Sequence, residues 1–122
     1  MTTVVDASAL LAFLQGEDGA EVVEAHLDDD PRCGAATWSE VAQKVIAAGR
    51  DWELVRALLW SYDVRVEPVT ADDAEWAARR WVAGEGLSLA DRLCLALASR
   101  LDAEVLTADV TWGSGGGIRQ IR

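Results

Sequence analysis

Four acidic residues stand where an acid has the means to do chemistry. Asp6 closes the apolar pair Val4-Val5, and Asp109 follows Leu106-Thr107-Ala108. Glu40 and Asp91 each lie three residues after a hydroxyl, in Thr37-x-x-Glu40 and Ser88-x-x-Asp91. Such a set is suited to hard divalent cations such as Mg²⁺, which take oxygen ligands, use one or two carboxylates each and keep several waters. Two such ions about 3.5–4 Å apart can activate a water and stabilise the leaving oxygen of a phosphodiester. Taken singly, Glu40 and Asp91 have a purely structural reading. A hydroxyl followed three residues later by an acid is the pattern of a capping box. An acid in the first turn of a helix stabilises it by ~0.3–1 kcal/mol through the helix dipole. Thr70-x-x-Asp73 has the same form, which shows how common the pattern is. Four acids together are harder to dismiss, because clustered carboxylates repel one another and need a reason to converge.

The elements that would position them can be read from the apolar spacing. Val4-Val5-Asp6 reads as a buried strand ending in an acid, followed by helix-forming Ala9 to Leu14. A second helix covers Glu21 to Leu27 and stops at Asp28-Asp29-Asp30-Pro31, since proline cannot continue it. A short strand over Arg32 to Ala36 leads into a helix from Trp38 to Ala48, with Gly49 as its stop. Asp51 caps a helix rich in Leu54, Val55, Leu58 and Leu59, and Val64 to Val69 alternates as a strand does. Thr70 opens a helix expected to run through Trp76 and Trp81 to Gly84-Glu85-Gly86. Ser88 caps a helix carrying Leu89, Leu93, Leu97 and Leu101, and Glu104 to Thr107 is a short strand. Ser114 to Gly117 is a loop, and Ile118 to Ile121 is read as an edge strand. Strands alternating with helices predict an α/β domain, a mainly parallel sheet covered on both faces in three α/β/α layers. In such sheets sites form at the carboxyl ends of the strands, where Asp6 and Asp109 fall.

The bulk numbers bound the possibilities. The 122 residues suffice for one domain, 1–122, and are too few for two ordinary ones. With 51% hydrophobic and 26% charged residues the chain has a globular composition. No apolar run reaches the ~18 residues a membrane span needs, and no signal peptide is visible at Met1-Thr2-Thr3. A cytoplasmic protein is the expectation. Cys33 and Cys94 are widely separated and form no metal-ligand spacing, so free buried thiols are expected. The lone histidine, His26, cannot supply a multi-histidine site and is read as a surface residue on a helix. The net charge of −10, from 21 acids and 11 bases, argues against binding nucleic acid by phosphate contacts alone. Any such function must use metal ions that reverse the local field, or a few placed arginines.

Four segments, in chain order, resemble the motifs of PIN-domain ribonucleases. These are Val5-Asp6-Ala7-Ser8-Ala9-Leu10, Trp38-Ser39-Glu40-Val41, Leu87 to Asp91 followed by Leu93 to Ala96, and Leu106 to Asp109 with Trp112 beyond. Length and motif spacing are similar to the VapC toxins of bacterial toxin–antitoxin pairs, and the resemblance covers essentially the whole chain. It implies Mg²⁺- or Mn²⁺-dependent endonucleolytic cleavage of RNA, with Asp6, Glu40, Asp91 and Asp109 as the metal-binding set. Ser8 and Thr107 match positions where a hydroxyl supports that set. A second copy of the chain, in a homodimer, and a small VapB-like antitoxin are the implied protein partners. Ala108 and Val110 leave the fourth motif a single acid, so Asp109 has no carboxylate beside it.

Other readings stay open at this level. Arg92 could contact a phosphate or pair with a site carboxylate. The tryptophans at 38, 52, 60, 76 and 81 fall in helical segments and suit core packing or a protein interface, while Trp112 lies near the acids. The Ser114 to Gly117 loop lacks the lysine and hydroxyl of a phosphate-binding loop. A haloacid dehalogenase-type phosphatase also places an Asp after its first strand, but wants a second Asp where Ser8 stands, and Lys44 is the only lysine. A PIN-like scaffold that binds a protein partner without catalysis is the non-enzymatic alternative.

Overall fold

The computed structural model describes residues 1–122. In chain order the elements are β1 (Thr3–Val5), α1 (Ala7–Gln15), α2 (Ala20–His26), β2 (Pro31–Gly34), α3 (Ala35–Ala47) and α4 (Trp52–Ser61). There follow β3 (Arg65–Glu67), α5 (Ala71–Arg79), α6 (Leu89–Leu101), β4 (Glu104–Thr107), a single 3-10 turn (Val110–Trp112) and β5 (Ile118–Gln120). The five strands form one sheet in the order β3-β2-β1-β4-β5. All four pairings are parallel, so the mainly parallel sheet expected from the sequence is parallel throughout.

Successive side chains of a strand point to opposite faces, and two apolar clusters record this. Val5 and Leu106 join the larger cluster with α1, α2, α3 and α4. Their neighbours Val4 and Val105 join a smaller one with Cys94, Leu97, Ala98 and Trp112 on the other face. The result is the predicted three-layer α/β/α arrangement. Cys33 and Cys94 are free and buried, as expected. No helix is long and apolar enough to cross a membrane.

The order of the strands creates the site. The chain steps outward from β1 to β2 to β3, then returns to place β4 on the other side of β1. The crevice between β1 and β4 at the carboxyl edge is therefore the topological switch point, where sheets of this kind bind ligands. Asp6 follows β1 and Asp109 follows β4. Only two residues separate α6 from β4, so α6 must end at the amino edge and begin at the carboxyl edge, which brings Asp91 there. Helix α3 starts directly after β2 and carries Glu40 away from the same edge.

Several boundaries differ from the sequence expectation, and β3 occupies only Arg65–Glu67 of the expected Val64 to Val69. Strand β2 stops at Gly34, and α3 begins at Ala35, three residues ahead of Trp38. Gly34 is the cap residue and Thr37 lies inside the first turn, so Thr37-x-x-Glu40 is no capping box and Glu40 sits in the second turn. Glycine is accepted as a cap, and Ala35-Ala36 are strong helix formers, so nothing delays the start. Helix α5 ends at Arg79, which leaves Trp81 outside it and 60% exposed. In α4 only Leu59 is fully buried, while Leu54 and Leu58 face outward.

Candidate active site

Asp6 is the centre of the site and is only 5% exposed. Its backbone N–H donates to Leu106 O at 3.1 Å, continuing the β1–β4 ladder by one residue. Its side chain then caps α1: Oδ1 accepts from Ala9 N at 2.8 Å. The in-register pairing of Val5 with Leu106 puts Thr107 beside Asp6 on the same face. Thr107 Oγ1 donates to Asp6 Oδ2 at 2.6 Å. Ser8 Oγ, in the first turn of α1, donates to Asp6 at 2.8 Å from Oδ1 and 3.0 Å from Oδ2.

The two hydroxyls also hold the fourth motif. Ser8 Oγ accepts from Ala108 N at 2.9 Å, and Thr107 Oγ1 accepts from Asp109 N at 3.0 Å. Ser8 and Thr107 thus tie the ends of β1 and β4 together across the switch point. Both residues named from the sequence thus hydrogen-bond the Asp6 carboxyl.

Burial pushes the Asp6 carboxyl up to about 6. The hydrogen bonds from Thr107, Ala9 and Ser8 pull it down but do not offset burial, and the negative charge of Asp91 pushes it up further. No cation is among the groups that act on it. A buried carboxylate without a counter-charge is unfavourable, and such groups concentrate at functional sites.

Asp91 lies within electrostatic reach of Asp6. It is fixed by a complete capping box: Ser88 N donates to Asp91 Oδ2 at 2.9 Å, and Asp91 N to Ser88 Oγ at 3.1 Å. Here the structural and the chemical readings coexist, since the box uses Oδ2 and no partner takes Oδ1. Glu40 stands apart, with Oε2 3.7 Å from Lys44 Nζ on the next turn of α3. Asp109 turns toward its own loop, where Oδ1 accepts from Thr111 N at 2.9 Å and from Thr111 Oγ1 at 2.7 Å. Topology therefore brings Asp6, Asp91 and Asp109 to one edge, with Glu40 a turn further along α3, and the charge of Asp91 acts on Asp6. No group of three acidic, histidine or cysteine side chains is close enough to make a complete ligand set.

The donor chemistry nevertheless fits a hard divalent cation. Every candidate ligand is an oxygen, and such an ion needs only one or two carboxylates from the protein. Asp6 and Asp91, a coupled pair with no cation of its own, are the residues that would hold it.

Arg92 makes no ion pair with a site carboxylate: its Nη1 donates to Ala77 O at 2.7 Å, which ties α6 to α5, and its Nε is buried without a partner. Trp112 is built into the smaller core and is 7% exposed, with no face free for a base. His26 is half-buried in the last turn of α2, its Nδ1 2.9 Å from Val22 O. Sequence reasoning missed Gln120, whose side chain holds the Asp109 loop. Only its neighbours in space reveal it.

The PIN domain family description matches residues 3–112. Ribonuclease VapC42 of Mycobacterium tuberculosis is 36% identical over 106 residues, covering 78% of this chain and 81% of the relative. In fold, the chain is similar to one in a toxin–antitoxin complex from Klebsiella pneumoniae, with a TM-score of 0.81, 20% identity and 98% of each chain covered. It is also similar to a chain of DNA-bound VapBC from Salmonella typhimurium, with a TM-score of 0.73 and 15% identity over 100% of this chain and 99% of that one. The chain belongs to the PIN-domain family and groups with the VapC ribonucleases.

Proposed function

We propose that this PIN-domain protein is a Mg²⁺-dependent endoribonuclease, the toxin of a toxin–antitoxin pair, and that a VapB-like antitoxin neutralises it. The observation that carries the reading is Asp6: a buried carboxyl, raised to about 6, held by three protein donors and answered by no cation. The relative's name, ribonuclease VapC42, supports the reaction class, and the similar folds come from a toxin–antitoxin complex and a VapBC assembly.

In this reading Asp6 and Asp91 hold Mg²⁺ or Mn²⁺, with Glu40 and Asp109 completing the acid set once RNA is bound. The cation, when present, supplies positive charge for the phosphate and lowers the barrier to hydrolysis. The protein's own part is orientation. Ser8 and Thr107 donate to the Asp6 oxygens and so fix the plane of its carboxyl group. Hydrogen-bonded supports of this kind sharpen the geometry of ligating carboxylates. The Ser88 cap fixes Asp91 in the same way at the start of α6. No histidine or lysine pairs with Asp6, Asp91 or Asp109 to act as a general base, and Lys44 pairs with Glu40 on α3. A chain of net charge −10 holds RNA on these terms only with the cation in place.

The test is cleavage of a mixed RNA pool by purified wild type and Asp91→Asn, each with Mg²⁺ and with EDTA. Cuts that need Mg²⁺ and vanish in the variant are expected. An inert wild type that also binds no divalent ion by calorimetry would favour the protein-binding scaffold instead. Release of phosphate from small phosphomonoesters would point to a phosphatase.

A further inference from the structure

We propose that Gln120 is a positioning residue: its side-chain amide locks the loop that carries Asp109. The proposal rests on the reading of Asp109 as a member of a cation-binding acid set. Within the loop, Trp112 N donates to Asp109 O at 3.2 Å, and Gly113 N to Val110 O at 3.1 Å. Asp109 Oδ1 caps the turn through Thr111. Those bonds shape the loop, and the Thr107 hydroxyl holds its first N–H, but none of them joins the loop to β5.

Gln120 makes that connection. Its Nε2 donates to Asp109 O at 2.9 Å and to Gly113 O at 2.8 Å, one carbonyl at each end of the loop. Carbonyls only accept, so the NH₂ group must face them and the orientation of the amide follows. Its Oε1 is then buried with no partner. An orphaned buried acceptor is unfavourable, and a leucine or methionine would fill the space without it. The NH₂ group is what the position keeps.

Gln120 stands opposite Thr107 in the β4–β5 register. The next residue, Ile121, donates its N–H to Thr107 O at 3.0 Å. Strand β5 therefore fixes the backbone on both sides of the Thr107 hydroxyl, which itself joins Asp6 to Asp109 N. Glutamate at 120 would turn a charge on two carbonyls, and asparagine is one methylene too short to reach both. Gln120 lies beyond the matched residues 3–112, and none of the four acidic motifs contains it.

The test is calorimetric titration of Mn²⁺ into wild type, Gln120→Met, Asp109→Asn and the double variant, with RNA cleavage measured in parallel. Gln120→Met is expected to weaken Mn²⁺ binding about tenfold and to lower kcat by a similar factor, the scale typical of supports behind ligands. KM for RNA should stay within about twofold, and the change should nearly vanish in the Asp109→Asn background, as coupled residues require. Gln120→Asn, too short to reach both carbonyls, should lose Mn²⁺ affinity in the same Asp109-dependent way. Equal losses with and without Asp109, or a Gln120→Met or Gln120→Asn that binds Mn²⁺ as wild type does, would each overturn the proposal. If Gln120→Met fails to fold, Gln120→Asn alone and combined with Asp109→Asn decides. If wild type binds Mn²⁺ but cuts no RNA, the proposed function fails while Gln120 still stands or falls on the affinities. If wild type binds no Mn²⁺, the acid-set reading fails and this proposal with it.

Discussion

Asp6 and Asp73 are equally buried, each 5% exposed, and each secures the N-terminus of a helix, yet their surroundings are opposite. Asp73 completes the capping box of α5 with Thr70 and receives the Arg100 guanidinium, Nε at 3.1 Å from Oδ1 and Nη2 at 3.2 Å from Oδ2. Burial alone would raise its carboxyl, but Arg100 and Thr70 outweigh burial and hold it below the usual range. Asp6 has hydroxyls and one amide but no cation, and burial wins. The same contrast separates the two capping boxes: Thr70–Asp73 comes with an arginine, and Ser88–Asp91 faces another acid. A structural acid is given its counter-charge by the fold. An acid left without one is poised to take it from a ligand.

The largest expected effect follows from exchanging these roles. Asp6→Asn should lower RNA cleavage by about 10³-fold, the scale of a lost charge-stabilising group, while folding is kept. Asp73→Asn should leave cleavage per folded molecule within about twofold but cost about 1–3 kcal/mol, because Arg100 loses its charged acceptor. Cleavage assays paired with urea melts read both. Activity lost with Asp73, or stability lost with Asp6, would erase the contrast.

Titration sharpens it next. In the folded, metal-free protein Asp6 holds its proton up to about 6, whereas the unfolded chain releases it near 3.8. The folded state binds more protons between those values, so Asp6 makes stability fall as pH rises through that window and level off above it. Its share is at most about 3 kcal/mol. Asp73, held low, acts with the opposite sign: its contribution is present at neutral pH and is lost only in acid. Denaturant melts of EDTA-treated wild type and Asp6→Asn across this window should therefore diverge, with the variant the more stable at about pH 7.5. Coincident curves would mean that Asp6 carries no stored penalty.

Smaller effects are expected from the supports. Thr107→Val and Ser8→Ala should each reduce cleavage about 10-fold and weaken Mn²⁺ binding. Thr70→Ala, the matching change behind Asp73, should cost about 1 kcal/mol of stability and leave Mn²⁺ affinity unchanged.

Much of the contrast was legible in the residues. Asp6 could be placed because a short β-branched run ends on it, and Ser88-x-x-Asp91 because a capping box is local. Thr37-x-x-Glu40 has the same local form and failed, since Gly34-Ala35-Ala36 lets α3 start three residues early. Helix α5 stopped ahead of Trp81, whose neighbours in sequence gave no stop before Gly84. What a sequence window cannot carry is the partner across the fold. Arg100 lies 27 residues from Asp73 in the chain, and Thr107 lies 101 from Asp6. Whether a buried acid is neutralised depends on such pairs. Arg92, beside Asp91 in sequence, spends its guanidinium on Ala77 O instead.

The central claim is that Asp6 is left uncompensated so that a divalent cation can answer it. Thermal melts of wild type, Asp6→Asn and Asp73→Asn at neutral pH, with EDTA and then with Mg²⁺ or Mn²⁺, test it most directly. A cation that binds only the folded state must raise its melting temperature. Wild type and Asp73→Asn are expected to gain stability on adding the ion, and Asp6→Asn to gain none. Equal shifts in all three proteins, or no shift in wild type, would contradict the account.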